Sequence, residues 1–216
     1  MPKMENVIKG SRYNLMDWYM NSSEEQKEYG SNFYYNAHLI ATDVGEQLGH
    51  CGYDATNIGS AILAILSPRT DWDKNVLYAY EYVNWGGVRN QTEINNAKCK
   101  LIESGNDPMV VLGRTSYKVK PFYKAILNPD GDNEVSNLMG FNRKGVKLAV
   151  VDRHMGGAYF NRPLKEYQRY YLGHPKVTKR ISNATFTVAN ELKVPVNTVQ
   201  AVIWATFRDA YKYFTY

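Results

Sequence analysis

Cysteine is scarce in this sequence: Cys51 and Cys99 are the only two among 216 residues. Two cysteines cannot build a disulfide framework or a four-cysteine metal or iron–sulfur site. One pairing is open to them, but a reduced pair inside a cell is the plainer expectation. The four histidines are scattered along the chain, so we expect neither a metal site nor another cofactor.

Long apolar runs are missing as well. No run approaches the ~20 residues that a membrane-spanning helix needs, and residues 1–14 lack the apolar core of a signal peptide. The 16 glycines and 8 prolines are too few for a collagen-like or low-complexity chain. An apolar fraction of 44% excludes wholesale disorder. We therefore expect a soluble, cytoplasmic protein without a membrane partner.

Basic charge and tyrosine are what the sequence has in excess. Lys and Arg together number 26 against 21 for Asp and Glu, and the sequence pI is about 9.0. This balance allows a polyanionic partner without requiring one. The 18 tyrosines each offer a flat face for stacking on a base and a hydroxyl for a phosphate. For any single tyrosine, a place at the edge of the core is the ordinary role.

Apolar residues recur every three or four positions along most of the chain, which predicts helices. No segment shows sustained alternation, so the expected fold class is all-α. Residues 107–112 and 116–127 are predicted to be two short helices joined by a tight link, and residues 128–147 a long polar loop. The helix boundaries we expect are caps or starts at Ser11, Ser23, Thr56 and Thr92, a break at Gly30 and a stop at Pro68.

The segment Val150–His154 is an apolar run that ends in an acid flanked by bases. A partly desolvated carboxylate at Asp152 could stabilise a cation that forms beside it or activate a water molecule. The alternative is an Asp that caps the next helix. On this segment alone the capping role is favoured, since capping aspartates are far commoner than catalytic ones.

The segment Leu112–Lys118 is typical of a phosphate clamp. Backbone amides at a helix start, with Ser116 and Lys118 beside them, suit a phosphate oxygen, and Gly113 permits the tight turn. The alternative is an ordinary basic helix start whose lysines are solvated.

In order and spacing these segments resemble motifs of the helix-hairpin-helix DNA glycosylase superfamily, the group that includes endonuclease III. Ile65–Arg69 is similar to the turn that places a residue into the DNA stack. Leu112–Lys118 aligns with the hairpin, and Val151–His154 is similar to the V-D-T-H string of the catalytic aspartate. The resemblance spans about residues 55–210 and implies a two-lobed helical domain. One lobe would hold about 56–147 with the hairpin, and the other 1–55 plus 148–216.

The resemblance also implies roles for single residues. Asp152 falls on the catalytic acid, and Lys118 on the lysine that the lyase members use as nucleophile. Arg69 falls on the residue inserted into the stack. The other residues expected to contact DNA are Arg114, Ser116, Tyr117, Lys120, Arg153 and His154.

The sequence departs from the family pattern in the hairpin, where Arg114 and Ser116 replace two glycines. A second register would place the hairpin at residues 138–144, nearer Asp152. The cysteine cluster of the iron–sulfur members is absent. The divergence, small size and composition suggest a phage protein, which would act in the host cytoplasm.

The expected activity is therefore a DNA glycosylase acting, as a monomer, on duplex DNA with a damaged or modified base. The alternatives are a phage enzyme that modifies bases on the same scaffold and a non-catalytic helical DNA-binding or counter-defence protein.

Overall fold

A computed structural model of the chain describes residues 10–131, 134–136, 138–141 and 145–212. Over these ranges the chain is mostly helical, which confirms the all-α class. The helices are α1 (Arg12–Met20), α2 (Glu24–Gln47), α3 (Gly52–Leu66), α4 (Trp72–Trp85), α5 (Glu93–Glu103), α6 (Pro108–Val111), α7 (Val119–Leu127), α8 (Arg153–Phe160), α9 (Glu166–Arg169), α10 (Pro175–Leu192) and α11 (Val196–Ala210).

The polar stretch predicted as a loop contains one short antiparallel pair of strands, β1 (Glu134–Val135) and β2 (Val146–Lys147). Val135 lies opposite Val146, and Val135 is buried. None of the helices that the structure describes has both the length and the hydropathy to cross a bilayer.

The described residues group into two compact units. The terminal unit is drawn from Met1–Asn32 and Val151–Tyr216, and the central unit is Phe33–Val150. Residues 33–55 and 148–150 thus belong to the central unit, whereas the resemblance implies that they group with the termini. The chain passes from one unit to the other within α2 and again between Val150 and Val151.

Several helix ends follow the local signals in the sequence. The hydroxyl of Ser11 accepts from the Asn14 amide at 3.3 Å and begins α1. Ser23 and Gln26 form a reciprocal capping box before α2, at 3.1 and 3.0 Å. The Thr92 side chain caps α5. α3 ends at Leu66, shortly before Pro68, as the sequence predicts.

Two predicted boundaries are wrong. α2 continues through Gly30, because this glycine lets α11 pass close to α2: a Cβ there would lie 2.6 Å from the backbone nitrogen of Val202. Thr56 lies inside α3 rather than at its start, and its hydroxyl pairs with Thr42 at 2.8 Å. The helix begins instead after Cys51.

The core of the terminal unit lies among α1, α8, α10 and α11. Its fully buried members include Leu15, Met155, Ile181, Ile203 and Phe207. Trp18 of α1 packs edge-on against Phe207, with ring centroids 5.1 Å apart. This packing holds the start of α8 against the middle of α11, where the candidate site lies.

The core of the central unit is built around α3, which packs against α4, α5 and α7. Ile62, Leu63 and Leu66 of α3 are fully buried. Gly59 of α3 lies so close to α2 that a Cβ would meet the Ala41 carbonyl oxygen at 1.8 Å. The close approach explains why a glycine is tolerated in the middle of a buried helix.

Candidate functional site

Asp152 is the N-cap residue of α8, at the end of the buried run Leu148–Val151. Its Oδ1 accepts from the backbone amides of His154 at 2.9 Å and Met155 at 3.0 Å. These two amides belong to the first turn of α8. Amides in a first turn have no carbonyl partner within the helix, so the Asp152 side chain supplies their acceptor. The capping role considered for Asp152 is therefore present in the structure.

The second carboxylate oxygen of Asp152 faces two aromatic side chains. Trp204 of α11 donates its indole Nε1–H to Oδ2 at 3.1 Å, and His154 Nδ1 lies 3.4 Å from the same oxygen. The side chains of Asp152 and His154 are only 14% and 17% exposed. The amides and the indole all donate, which suits an ionised carboxylate with both oxygens engaged.

Trp204 connects this carboxylate to a small aromatic and cationic cluster. The His154 ring meets the Trp204 ring edge-on at 5.9 Å. Tyr29 of α2 stacks on Trp204, with centroids 6.5 Å apart and 17° between the planes. The Arg208 guanidinium lies 4.7 Å from the Trp204 centroid and also pairs with Asp209 at 2.8 Å. Flat, polar-edged surfaces of this kind suit a planar heterocycle.

In the central unit, Arg69 lies in the turn that follows α3. Its φ of 62° is left-handed, a conformation that costs a non-glycine residue about 1–2 kcal/mol. The turn closes with the Thr70 amide on the Ser67 carbonyl at 3.4 Å. Arg69 is exposed, so this strained turn presents a long cationic side chain to solvent.

Residues 112–118 form the predicted link between α6 and α7. Gly113 has a φ of 84°, and the Ser116 hydroxyl donates to the Leu112 carbonyl. Lys118 is the half-buried N-cap residue of α7, and Arg114 is exposed. The two short helices predicted here are present, but α6 is only one turn long, and α7 begins at Val119 rather than at Ser116.

Two residues expected to contact DNA are buried instead. Lys120 is fully buried, and its Nζ donates to the Ser136 carbonyl at 3.1 Å. Burial lowers the pKa of Lys120 although Asp107 opposes the effect. Tyr117 is 7% exposed, and its hydroxyl donates to the Met139 carbonyl at 2.8 Å. Both side chains tie α7 and its link to residues 134–141, so neither is available to a phosphate or a base in this conformation.

The alternative hairpin register at 138–144 falls in a different structural context. Residues 138–141 lie against the first register, because the Met139 amide donates to the Arg114 carbonyl at 2.8 Å. They belong to the connection between β1 and β2 rather than between two helices, and residues 142–144 lie outside the described ranges. Of the two segments, only 112–118 lies between two helices.

A family model matches residues 3–211 and is described as "Family of unknown function (DUF7178)". The chain belongs to this family. No curated protein and no solved structure matches the chain.

In this member of DUF7178, the residues predicted as functional divide between the two units. Asp152, Arg153 and His154 lie together at the start of α8 in the terminal unit, with Arg153 exposed. Arg69 and the link with Lys118 belong to the central unit. Over the described ranges, no group of three or more His, Cys, Asp or Glu side chains is arranged to hold a metal ion.

Tyr29 and Arg208 were not anticipated from the sequence. Arg208 follows Trp204 by four residues on α11, a spacing that brings side chains together on a helix. Tyr29 carries no such signal, because its contact with Trp204 joins helices that are distant in the sequence.

Proposed function

We propose that this protein is a DNA glycosylase that hydrolyses the N-glycosidic bond of a damaged or modified base in duplex DNA. The observation that carries the proposal is the Asp152 carboxylate, held mostly buried by donors at the start of α8, with His154 and Trp204 beside it. The resemblance of three segments to the helix-hairpin-helix glycosylases supplies the reaction class.

In the proposed reaction the bond between the base and C1′ breaks, and the electron pair leaves with the base. The sugar then carries positive charge, as in other glycoside hydrolysis. Asp152 is fixed in orientation by the α8 amides, so little reorganisation is needed for its charge to stabilise that cation. Water adds to C1′, its proton passes to the carboxylate or to solvent, and the departing base is protonated.

Lys118 gives the reaction a second route. A neutral amine at Lys118 would attack C1′ and form a Schiff base after the base departs, which allows strand cleavage. A charged Lys118 would instead contact a phosphate, and the abasic site would stay intact. Extrusion of the target base costs a few kcal/mol, and Arg69, on its strained turn, is the side chain we assign to the vacated space.

The test is a base-release assay on a panel of duplexes, each with one damaged or modified base, with and without borohydride. Wild type should release one base of the panel, and Asp152→Asn should lower turnover by about 10²–10⁴-fold. Asp17→Asn is the matched control, since it removes one exposed carboxylate from α1 of the same unit. A borohydride-trapped adduct that Lys118→Gln abolishes would assign the nucleophile, and release without an adduct would assign water.

One observation favours a non-catalytic DNA-binding protein as the second candidate. Asp152 caps α8 through Oδ1 and accepts the Trp204 indole through Oδ2, which is the arrangement that a structural cap requires. In that case no duplex of the panel loses a base, and Asp152→Asn binds duplex DNA at least as well as wild type. Absence of both base release and DNA binding would overturn both candidates.

A further inference from the structure

The segment 162–180 carries an unusual share of the protein's charge. It holds six of the 26 basic residues and one of the 21 acidic residues. The rest of the chain therefore has 20 residues of each sign, and these 19 residues account for the whole net charge of +5. Such concentration is the electrostatic footprint of a surface that meets a polyanion.

The fold turns this charge outward. Leu164, Leu172 and Thr178 are buried and anchor the segment on the terminal unit. The Thr178 hydroxyl donates to the Leu172 carbonyl, which ties α10 to the 3-10 turn at Tyr170–Gly173. Six of the exposed side chains form what we call the basic surface: Lys165, Tyr167, Tyr170, Lys176, Lys179 and Arg180. Glu166 and His174 are exposed in the same segment.

Three of these cations share one face of α10. Lys176, Lys179 and Arg180 are spaced by three and four residues, so their side chains project from the same side of the helix. All three are exposed. Glu166 is the single acid of the segment, so over these residues the cations greatly outnumber anions that could neutralise them.

The aromatic side chains of the basic surface decide which polyanion fits best. Tyr170 is 80% exposed and Tyr167 59% exposed, the only large hydrophobic side chains in the segment that are exposed. Rings this open, set among cations, are the elements with which proteins hold unpaired strands: bases stack on the rings and phosphates meet the cations. A lipid surface would call for exposed Leu, Phe or Trp at such positions.

We propose that the basic surface binds single-stranded nucleic acid without sequence preference. Phosphates pair with Lys176, Lys179 and Arg180, and an unpaired base stacks on Tyr170. This binding does not rest on the proposed glycosylase activity, because the basic surface includes none of the residues assigned to that reaction.

The test measures the affinity of the full chain for a short fluorescent oligothymidylate across a salt series. The triple variant Lys176→Gln/Lys179→Gln/Arg180→Gln should lower the slope of log K against log salt by about 2 and weaken binding about 100-fold at about 0.1 M salt. The matched control, Arg89→Gln/Lys100→Gln/Lys212→Gln, removes the same charge from exposed positions elsewhere and should keep at least most of the affinity. Equal losses of oligothymidylate affinity in the two triple variants would mean that binding depends only on the net charge of the protein. That result would overturn the assignment of binding to the basic surface.

Stacking is tested by a second pair of variants. Tyr170→Ala should weaken oligothymidylate binding about tenfold, and Tyr170→Phe should leave it unchanged, because the ring alone stacks. A duplex of mixed sequence should bind less tightly, since its bases are already stacked. Equal binding of duplex and single strand, no effect of Tyr170→Ala, or binding to anionic phosphatidylserine vesicles but not to the oligonucleotide would each overturn the proposal. The oligothymidylate carries no damaged or modified base, so failure here and failure of the glycosylase proposal are separate results.

Discussion

The two oxygens of Asp152 contact different helices. Oδ1 satisfies the first amides of α8, and Oδ2 accepts the Trp204 indole of α11. The residue is therefore part of the fold whether or not it is also part of a reaction. Any mutational test of its chemistry must separate those two contributions.

Replacing Asp152 with Asn and with Ala makes that separation. Asn keeps a capping oxygen but loses the charged partner of Trp204, so we expect a loss of about 1–2 kcal/mol in the free energy of unfolding. Ala also loses the cap, which should cost about 1 kcal/mol more. Urea denaturation measures both. If Asn were as destabilising as Ala, the cap would not be the structural role of this side chain.

Lys120 predicts a specific dependence of stability on pH. Burial lowers its pKa from the ordinary 10.5, so between the two values the unfolded chain binds more protons than the folded chain. Stability due to this residue therefore rises with pH in that window and is flat below it. The free energy of unfolding of wild type relative to Lys120→Met should increase as the pH rises toward 10.5.

The matched variant is Lys124→Met, a half-buried lysine on the same helix. The same pH trend in both variants would contradict the assignment of the effect to the buried amine of Lys120.

Among the elements, the predictions that held were those with a local cause. Ser11 and Thr92 cap helices through their own side chains, and Pro68 excludes further helix through its missing amide. The predicted break at Gly30 and cap at Thr56 are wrong because the roles of these residues depend on contacts with residues far away in the sequence. A glycine that ends a helix and a glycine that admits a crossing helix look the same until the partner is known.

The crossing of α2 and α11 makes Gly30 sensitive to the smallest substitution. A methyl group at position 30 would meet the Val202 backbone at 2.6–2.8 Å, and backbone cannot move aside cheaply. Gly30→Ala should therefore lower the free energy of unfolding by about 1–3 kcal/mol. Thermal denaturation of wild type and of Gly30→Ala measures this difference.

Gly173 provides the control, because nothing lies within 4 Å of a Cβ there and its φ is not left-handed. Gly173→Ala should be neutral or add about 0.4–1 kcal/mol. Equal stability of the two variants would mean that the close helix crossing is absent.

At the scale of the whole molecule, the two units differ in how the chain builds them. The central unit is one continuous stretch, Phe33–Val150, whereas the terminal unit joins the first and last parts of the chain. We expect a fragment of residues 33–150 to be helical and to unfold cooperatively, because α3 is packed within it by α4, α5 and α7. Circular dichroism with urea denaturation of this fragment tests the expectation, and a non-cooperative loss of helicity would contradict it.

For the candidate site, too, the sequence did not predict the contacts between residues that are distant along the chain. Asp152 and Lys118 stand out through their local strings, but the contact of Asp152 with Trp204 spans 52 residues and follows no period. The burial of Lys120 and Tyr117 depends in the same way on residues 134–141. The sequence predicts surface contacts for cationic and aromatic residues near a motif, whereas packing places Lys120 and Tyr117 inside.

The two oxygens of Asp152 make different contacts, which limits the residues that DUF7178 proteins can carry at this position. Asp and Asn both carry a short side chain with an oxygen for the α8 amides, but only Asp has a second acceptor for the Trp204 indole of α11, because the Nδ2 of Asn is itself a donor. Substitution to Asn would preserve the start of α8 while removing the charge that the proposed reaction needs. Under the proposed glycosylase activity, relatives with Asn at this position would fold and occupy DNA without releasing a base.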